Sequence, residues 1–291
     1  MLVLIGYLIT LFSVFGGFAL AGGHLLALFQ PIELLMIGGA SLGAFLVSNN
    51  WKVVKNTGRN LYATLTNFGY SKAYYLELLT LLYEISDKIK KEGALSLEGD
   101  IENPATSALF KRFPLVKKDS EIMEYLCDYL QFLVTGRVDK HNMDTLMDED
   151  IETFTEEKEQ AIQAINKVAD GMPAFGIVAA VMGVVHTMGS LGVPPEQLGV
   201  MIAGALVGTF LGVLIGYGFV APLGVLLEHR MNASVKALFC IKMVLIATVN
   251  NFAPSIAVEF GRKIIYGSDR LNSKDLEASL KQMKQAKSGN S

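Results

Sequence analysis

Four long stretches of the chain are almost entirely apolar and contain no lysine, arginine or aspartate. Each has about the 20 residues that a helix needs to cross about 30 Å of hydrocarbon. A charge at the centre of such a helix costs about 2.5–3.5 kcal/mol on insertion scales, so its absence is informative. We therefore predict transmembrane helices at Leu2–Gly22, Glu33–Asn50, Met172–Gly189 and Leu198–Leu227.

The basic residues predict the orientation of these helices. None of the 25 lysines and arginines precedes Lys52, and none lies between Lys167 and Arg230. Because basic residues concentrate in cytoplasmic loops, the region between the second and third spans and the tail after the fourth are expected in the cytoplasm, with both termini. The first ten residues lack a basic region, so the first span is expected to be retained rather than cleaved.

A fifth apolar run, Ala237–Val249, is short and has Lys242 at its centre. If it crossed the membrane, the basic residues after it would lie outside. We predict a cytoplasmic or interfacial helix here.

Between the second and third spans the apolar residues recur with a helical period, and no period of two occurs. One helix is predicted from an N-cap at Ser71 to Gly93, and another over Asp119–Thr135. The stretch 93–104, GALSLEGDIENP, has the glycines and proline of a loop. The acidic stretch Asp148–Gln160 is typical of a solvated helix. The fold class is an all-α integral membrane protein with a large helical cytoplasmic domain.

These elements predict four regions. They are a transmembrane hairpin at 1–50, a cytoplasmic helical domain at 51–170, a second transmembrane hairpin at 171–227, and C-terminal cytoplasmic helices and tail at 228–291. Met36–Leu46 and Met201–Leu211 share most of their residues at equivalent positions, which suggests either a duplicated hairpin or a chance match of small apolar residues. The alignment pairs Ala44 with Thr209.

Several kinds of chemistry have no support in the sequence. No phosphate-binding loop of the GxxxxGK[ST] type occurs. Ser41 lies in a GxSxG pattern, but that pattern needs a strand–turn–helix elbow and Ser41 lies in a span, so we interpret it as a packing residue. His24, His141, His186 and His229 have no metal-ligand spacing, and only His186 is near a span. No metal, no cofactor and no enzyme activity are expected. A net charge of −3 gives no reason to expect a nucleic acid partner.

Four glycines of the fourth span are spaced four residues apart and form what we call the glycine row: Gly204, Gly208, Gly212 and Gly216. An interior glycine costs a water-exposed helix about 0.5–1 kcal/mol relative to alanine. In lipid, however, small residues let two helices approach closely. The row is therefore either a docking face for a particular helix or ordinary bundle packing. The spans carry no acid away from their edges, so either the chain transports no ion or the ion-carrying carboxylate comes from a second protein lying against the row beside Thr209.

Two prolines interrupt the third and fourth spans. Pro173 and Pro222 each lack an amide hydrogen and free the carbonyl four residues earlier, at Ala169 and Gly218. They indicate either a pair of hinges that transmit motion or two prolines placed at the membrane boundary.

Four segments resemble the motility protein A family, the MotA subunits of bacterial flagellar stators. They are VADGMPAFGIVAAVMGVVHTMGS (168–190), ALVGTFLGVLIGYGFVAPL (205–223), SLEGDIENP (96–104) and IAVEFGRK (256–263). The resemblance implies a proton channel in which five A subunits surround two single-span MotB-type subunits, each carrying the ion-binding aspartate. It also implies that Pro173 and Pro222 are torque-coupling hinges and that Thr209 lines the channel.

The resemblance further implies a contact with FliG, the switch protein of the rotor, through charged residues at Lys90 and Glu98. Relatives often have arginine at the first position, so either Lys90 or Lys91 could make the contact. Glu98 could instead serve a local cap. Sodium-type relatives carry a threonine where this chain has Ala180, so protons are the expected ion. The alternative is an energy-transducing subunit of the ExbB or TolQ type, which typically has three spans, and a third possibility is a membrane scaffold without ion flux.

Overall fold

The structure is a computed structural model that describes residues 2–65, 69–136, 139–189, 192 and 194–288. All regular elements in these ranges are helical, which confirms the all-α prediction. The α-helices are Leu2–Leu11, Gly17–Leu20, Pro31–Ser48, Trp51–Leu65, Lys72–Glu92, Glu98–Glu102, Ala108–Lys111, Pro114–Lys117, Ser120–Thr135, Lys140–Met188, Pro195–Ile215, Ala221–Val249, Pro254–Ile264 and Ser273–Ser288. Two 3₁₀ turns, Leu25–Leu28 and Ala94–Leu97, and two π-helical segments, Phe12–Gly16 and Gly216–Val220, connect or interrupt them.

Four helical segments are long and apolar enough to cross a membrane, as predicted: Leu2–Leu20, Leu25–Ser48, Lys140–Met188 and Pro195–Val249. The last two are much longer than the predicted third and fourth spans, with 49 and 55 residues. Each extends an apolar span into a charged helix without a break. We keep the names first to fourth span for these helices.

The chain divides into two compact units. The membrane unit contains Met1–Thr66 and Lys158–Glu228, and the polar unit contains Asn67–Glu157 and His229–Ser291. The boundaries that we predicted after residues 50 and 170 therefore lie inside the membrane unit. One reason is that the helix Trp51–Leu65 is tied to the third span, since the Lys158 ammonium donates to the Asn60 side-chain oxygen at 3.2 Å.

The membrane unit presents apolar side chains on its outer surface. Leu4, Phe12 and Leu20 of the first span are 68%, 74% and 92% exposed. In the interior, a small cluster joins Ile37 of the second span to residues of the third and fourth, Ala179, Val207 and Leu211. This distribution matches helices that face lipid outside and one another inside.

The polar unit holds the larger hydrophobic core, and its two predicted helices are confirmed. Ser71 caps the helix Lys72–Glu92 by accepting from the Tyr74 amide, and Gly93 ends it with a φ of +83°. Asp119 caps the helix Ser120–Thr135 by accepting from the Ile122 amide. A positive φ is costly for residues other than glycine, which explains Gly93 at this helix end.

The stretch 93–104 is not the plain loop that we predicted. It forms the 3₁₀ turn Ala94–Leu97 and the short helix Glu98–Glu102. Both turns are fixed by apolar anchors, because Leu97 and Ile101 are buried in the core. Gly93 precedes the first turn and Pro104 follows the second, whereas Gly99 lies inside the short helix.

The fifth apolar run belongs to the core of the polar unit. It forms the end of the helix Ala221–Val249, where Leu238, Ile241 and Leu245 are fully buried. Lys242 is 6% exposed, and its ammonium lies 2.8 Å from an Asp144 carboxylate oxygen and 2.6 Å from one of Asp148. Two carboxylate partners suit a buried lysine in a folded domain and would be costly in lipid.

Candidate functional site

The glycine row packs against the backbone of the third span. A Cβ added to Gly212 would lie 2.6 Å from the Met172 carbonyl oxygen, and one added to Gly216 would lie 2.6 Å from that of Ala169. A Cβ added to Gly208, earlier in the row, would lie 3.2 Å from the Cβ atom of Ala179. The spacing of four therefore lets two helices of one chain meet backbone to backbone.

This packing corrects the expectation that a companion protein lies against the row. The third span of the same chain fills it at Gly208, Gly212 and Gly216, and a Cβ on Gly204 would lie 3.3 Å from the Gln30 side chain. The sequence pattern indicates a close helix partner but does not specify which helix it is.

The two predicted hinge prolines lie in continuous helices rather than at helix ends. Pro173 is inside Lys140–Met188, and Pro222 is the second residue after the π-helical segment Gly216–Val220, which we call the π segment. The Cδ of Pro173 lies 3.2 Å from the Cβ position of Gly216. The structure thus brings the proline of one helix against the π segment of the other.

Ala180 of the third span and Thr209 of the fourth span lie at the same height along these two facing helices. The backbone nitrogen of Ala180 is 3.3 Å from the Cβ position of Gly208, the neighbour of Thr209. Thr209 is half-buried, and its hydroxyl makes no hydrogen bond within the described residues. By contrast, the Thr187 hydroxyl donates to the Gly183 carbonyl of its own helix at 2.8 Å. The Thr209 hydroxyl is therefore available to a group outside this subunit.

Glu33 is a functional candidate that sequence reasoning left at the membrane boundary. It lies in the first turn of Pro31–Ser48 and is only 8% exposed. One carboxylate oxygen is 2.8 Å from the Cβ position of Gly208, and the other is 3.7 Å from that of Gly183. The first of these oxygens is buried without a hydrogen bond among the described residues. Glu33 lies at the edge of its span, where the sequence placed it, but its side chain is buried there.

A four-residue spacing could have indicated this burial. Glu33, Ile37 and Ser41 fall on one helix face, and all three are buried against the third and fourth spans. The hydroxyl of Ser41 is also buried without a partner in the described ranges. His186 is exposed near the end of Lys140–Met188, and no group of residues in the described part of the chain could hold a metal ion.

The candidate rotor residues lie on the surface of the polar unit. Lys90 and Glu98 are exposed, and neither makes an ion pair within the described residues. Lys91 is also exposed, but its ammonium lies 2.7 Å from an Asp87 carboxylate oxygen one turn earlier. Of the two lysines that the sequence left open, Lys90 has the side chain that is free for an external partner.

An ion pair joins the two elements that carry Lys90 and Glu98. The Lys88 ammonium donates to one carboxylate oxygen of Asp100 at 2.8 Å, and the Ser107 hydroxyl donates to the other at 2.6 Å. Burial alone would raise the pKa of Asp100, but these hydrogen bonds outweigh burial and lower it below its ordinary value. Asp100 therefore remains a carboxylate near neutral pH and holds the helix Glu98–Glu102 to the helix Lys72–Glu92.

Comparisons with known proteins identify the family. Residues 4–93 match the model of the motility protein A N-terminal region, and residues 117–238 match the MotA/TolQ/ExbB proton channel family. The chain is 45% identical to motility protein A of Salmonella typhimurium over 95% of its length and 94% of that protein. It is likewise 45% identical to motility protein A of Escherichia coli over 98% of its length and 96% of that protein.

A solved structure shows the same fold at lower identity. A chain of the Campylobacter jejuni MotAB structure ("Structure of C. jejuni MotAB") superimposes with a TM-score of 0.77 at 20% identity, covering 93% of this chain and 98% of that chain. The motility-specific N-terminal match and the named relatives favour the flagellar assignment over the ExbB or TolQ alternative. The chain thus belongs to the motility protein A family and is a stator subunit of the bacterial flagellar motor.

Proposed function

We propose that this subunit forms one wall of a proton path and that a single-span subunit of the MotB type completes it. The observation that carries this proposal is the Thr209 hydroxyl, which is half-buried among the spans and is not used by its own helix. An aspartate on the companion helix would accept a hydrogen bond from it. Support for such a companion comes from the solved Campylobacter jejuni relative, which is a MotAB structure.

Protons are the proposed ion because the site offers few oxygens. A sodium ion needs several oxygen ligands, whereas a proton moves between hydrogen-bonded groups. Ala180, which faces the helix of Thr209, has a methyl group where a threonine would add an oxygen. A membrane potential of 100 mV supplies about 2.3 kcal/mol for each charge that crosses, which is enough to drive a modest conformational change.

Rotation driven by this subunit should be independent of sodium. In cells that lack their own stator and express this chain with its single-span companion, swimming speed should stay constant when potassium replaces external sodium at fixed membrane potential. The same cells should stop when a protonophore collapses the proton gradient. Speed that rises with external sodium would contradict a proton path.

We further propose that the subunit assembles as a pentamer around two companion helices in the inner membrane, with both termini in the cytoplasm. The distribution of lysine and arginine supports this orientation. Each of the two long helices contributes residues to both units, so a change at the prolines has a continuous helical connection to the polar unit.

Lys90 and Glu98 are proposed to contact the rotor protein FliG. Lys90→Glu and Glu98→Lys should each lower torque while leaving the number of units at the motor unchanged, because both side chains are exposed and unpaired in the described part of the chain. Reversal of the opposing charge on FliG should restore part of the torque. Lys91→Glu is the matched control and should have the smaller effect, since Lys91 already pairs with Asp87. No rescue by any reversed FliG charge would exclude an electrostatic contact.

A further inference from the structure

The π segment is short of backbone hydrogen-bond donors where it meets Pro222. At its end the Ala221 amide donates to the Gly216 carbonyl, five residues back. Pro222 has no amide hydrogen, so the next donor is absent from the helix. In an apolar environment an unmatched carbonyl is costly, and side chains of neighbouring helices often satisfy it.

Pro222 leaves the Gly218 carbonyl without its helical donor, and a side chain of the first span donates to the next carbonyl along the chain. The Tyr7 hydroxyl donates to the Phe219 carbonyl at 2.8 Å, although the two residues are 212 positions apart in sequence. Their rings also pack, with centroids 5.0 Å apart. One turn further along, the Thr10 methyl lies 3.5 Å from the Cβ position of Gly218.

The first residue of the π segment, Gly216, contacts the third span at Pro173. Gly216 faces both the Ala169 carbonyl oxygen, which Pro173 leaves without its helical donor, and the Pro173 ring itself. The π segment therefore contacts both the first span and Pro173 of the third span. π-helical segments are rare, appear mostly as single turns within α-helices and often occur at functional sites.

We propose that Tyr7 is a positioning residue of the stator cycle and that its hydroxyl holds the π segment in its present hydrogen-bond register. This proposal rests on the proposed function, because it requires the region of Pro222 to move as protons pass. A hydroxyl that bonds the Phe219 carbonyl in one register stabilises that register over the other. The first span then sets how far Pro222 can move relative to Pro173.

The test replaces Tyr7, by amber suppression, with 4-aminophenylalanine or 4-methylphenylalanine in the complete stator complex. The two side chains have nearly the same size, but only the amino group can donate a hydrogen bond. Torque for each stator unit is measured from the stepwise recovery of a tethered motor, and the number of units is counted with a fluorescent tag. In purified complex, the carbonyl stretch of carbon-13-labelled phenylalanine reports the bond to Phe219.

The amino variant should retain the torque per unit and the carbonyl frequency of the unsubstituted complex. In motors with equal numbers of stator units, the methyl variant should lose torque about twofold to fivefold. In purified complex it should shift the stretching band of one phenylalanine carbonyl to higher frequency. Ser48→Ala is the control: it removes an exposed hydroxyl that donates to the Ala44 carbonyl within its own helix and should change nothing.

If the unsubstituted complex works and the amino and methyl variants give equal torque, the role of Tyr7 is overturned while the proposed function stands. A carbonyl band that is the same in both variants would overturn the hydrogen bond itself. Absence of torque even in the unsubstituted complex would overturn the proposed function and this inference with it.

Discussion

Gly212→Ala is expected to prevent stable assembly of the stator subunit. The added methyl group would lie 2.6 Å from the Met172 carbonyl oxygen and 2.9 Å from the Gly176 Cα. Both atoms belong to the backbone of the third span, so no side-chain rotation can relieve the overlap. The two helices would have to separate, and overpacking of this kind costs about 1–3 kcal/mol or more. Loss of close packing matters especially in lipid, where apolar burial does not drive helices together.

Gly204→Ala provides the matched control within the same row. Its new methyl group would meet the Gln30 side-chain nitrogen at 3.3 Å, and the flexible end of that side chain can move away. The amount of folded subunit in the membrane and its thermal stability in detergent should therefore fall for Gly212→Ala and remain near normal for Gly204→Ala. Equal stability of the two variants would show that backbone contact does not explain the row.

The glycine row illustrates what sequence can and cannot predict in a membrane protein. Glycines four residues apart correctly indicate a close helix approach, because the spacing itself defines one face of a helix. Which helix packs on that face depends on the tertiary structure. In the structure it is the third span of the same chain, and not a companion protein. The same holds for the two prolines. The sequence shows that Pro173 and Pro222 lack amide hydrogens, but only the structure shows that Pro173 contacts Gly216 of the π segment that precedes Pro222.

Local signals in the polar unit were more reliable. Ser71, Gly93 and Asp119 mark helix ends in the structure as they do in the sequence, because capping depends on a few neighbouring residues. The stretch 93–104 was harder, since its turns are fixed by the burial of Leu97 and Ile101 rather than by local chemistry. Lys242 was correctly judged unsuitable for a span, but its two carboxylate partners lie almost 100 residues away in sequence.

Glu33 is the largest omission, and its cause is the position of the residue near a predicted helix end. Hydropathy treats an acid at such a position as solvated. In the structure the first turn of the second span is covered by Gly183 and Gly208, which have no side chains to exclude the carboxyl group. The glycine row therefore has a second use at Gly208, where the missing Cβ leaves space for a buried acid.

Glu33→Gln is expected to lower proton flux about tenfold while the complex still assembles, because glutamine has the same shape but cannot exchange a proton. The Glu33 carboxyl group is buried beside Gly208, one residue from Thr209, and one of its oxygens has no hydrogen-bond partner in the described residues. A buried carboxyl group within a transmembrane helix is costly to keep and commonly serves an ion pathway. Its position would let it exchange protons with the companion aspartate through a short chain of groups.

The measurement is proton uptake into vesicles that contain the complex, together with torque per unit in the motor. Glu196→Gln is the control, because Glu196 is an exposed acid in the first turn of Pro195–Ile215 and should tolerate the same substitution. Glu33→Asp keeps an exchangeable proton but shortens the side chain, so it should retain more flux than Glu33→Gln. If Glu33→Gln passed protons at the unsubstituted rate, the buried carboxyl group would have a packing role only, and the companion aspartate with Thr209 would suffice for the path.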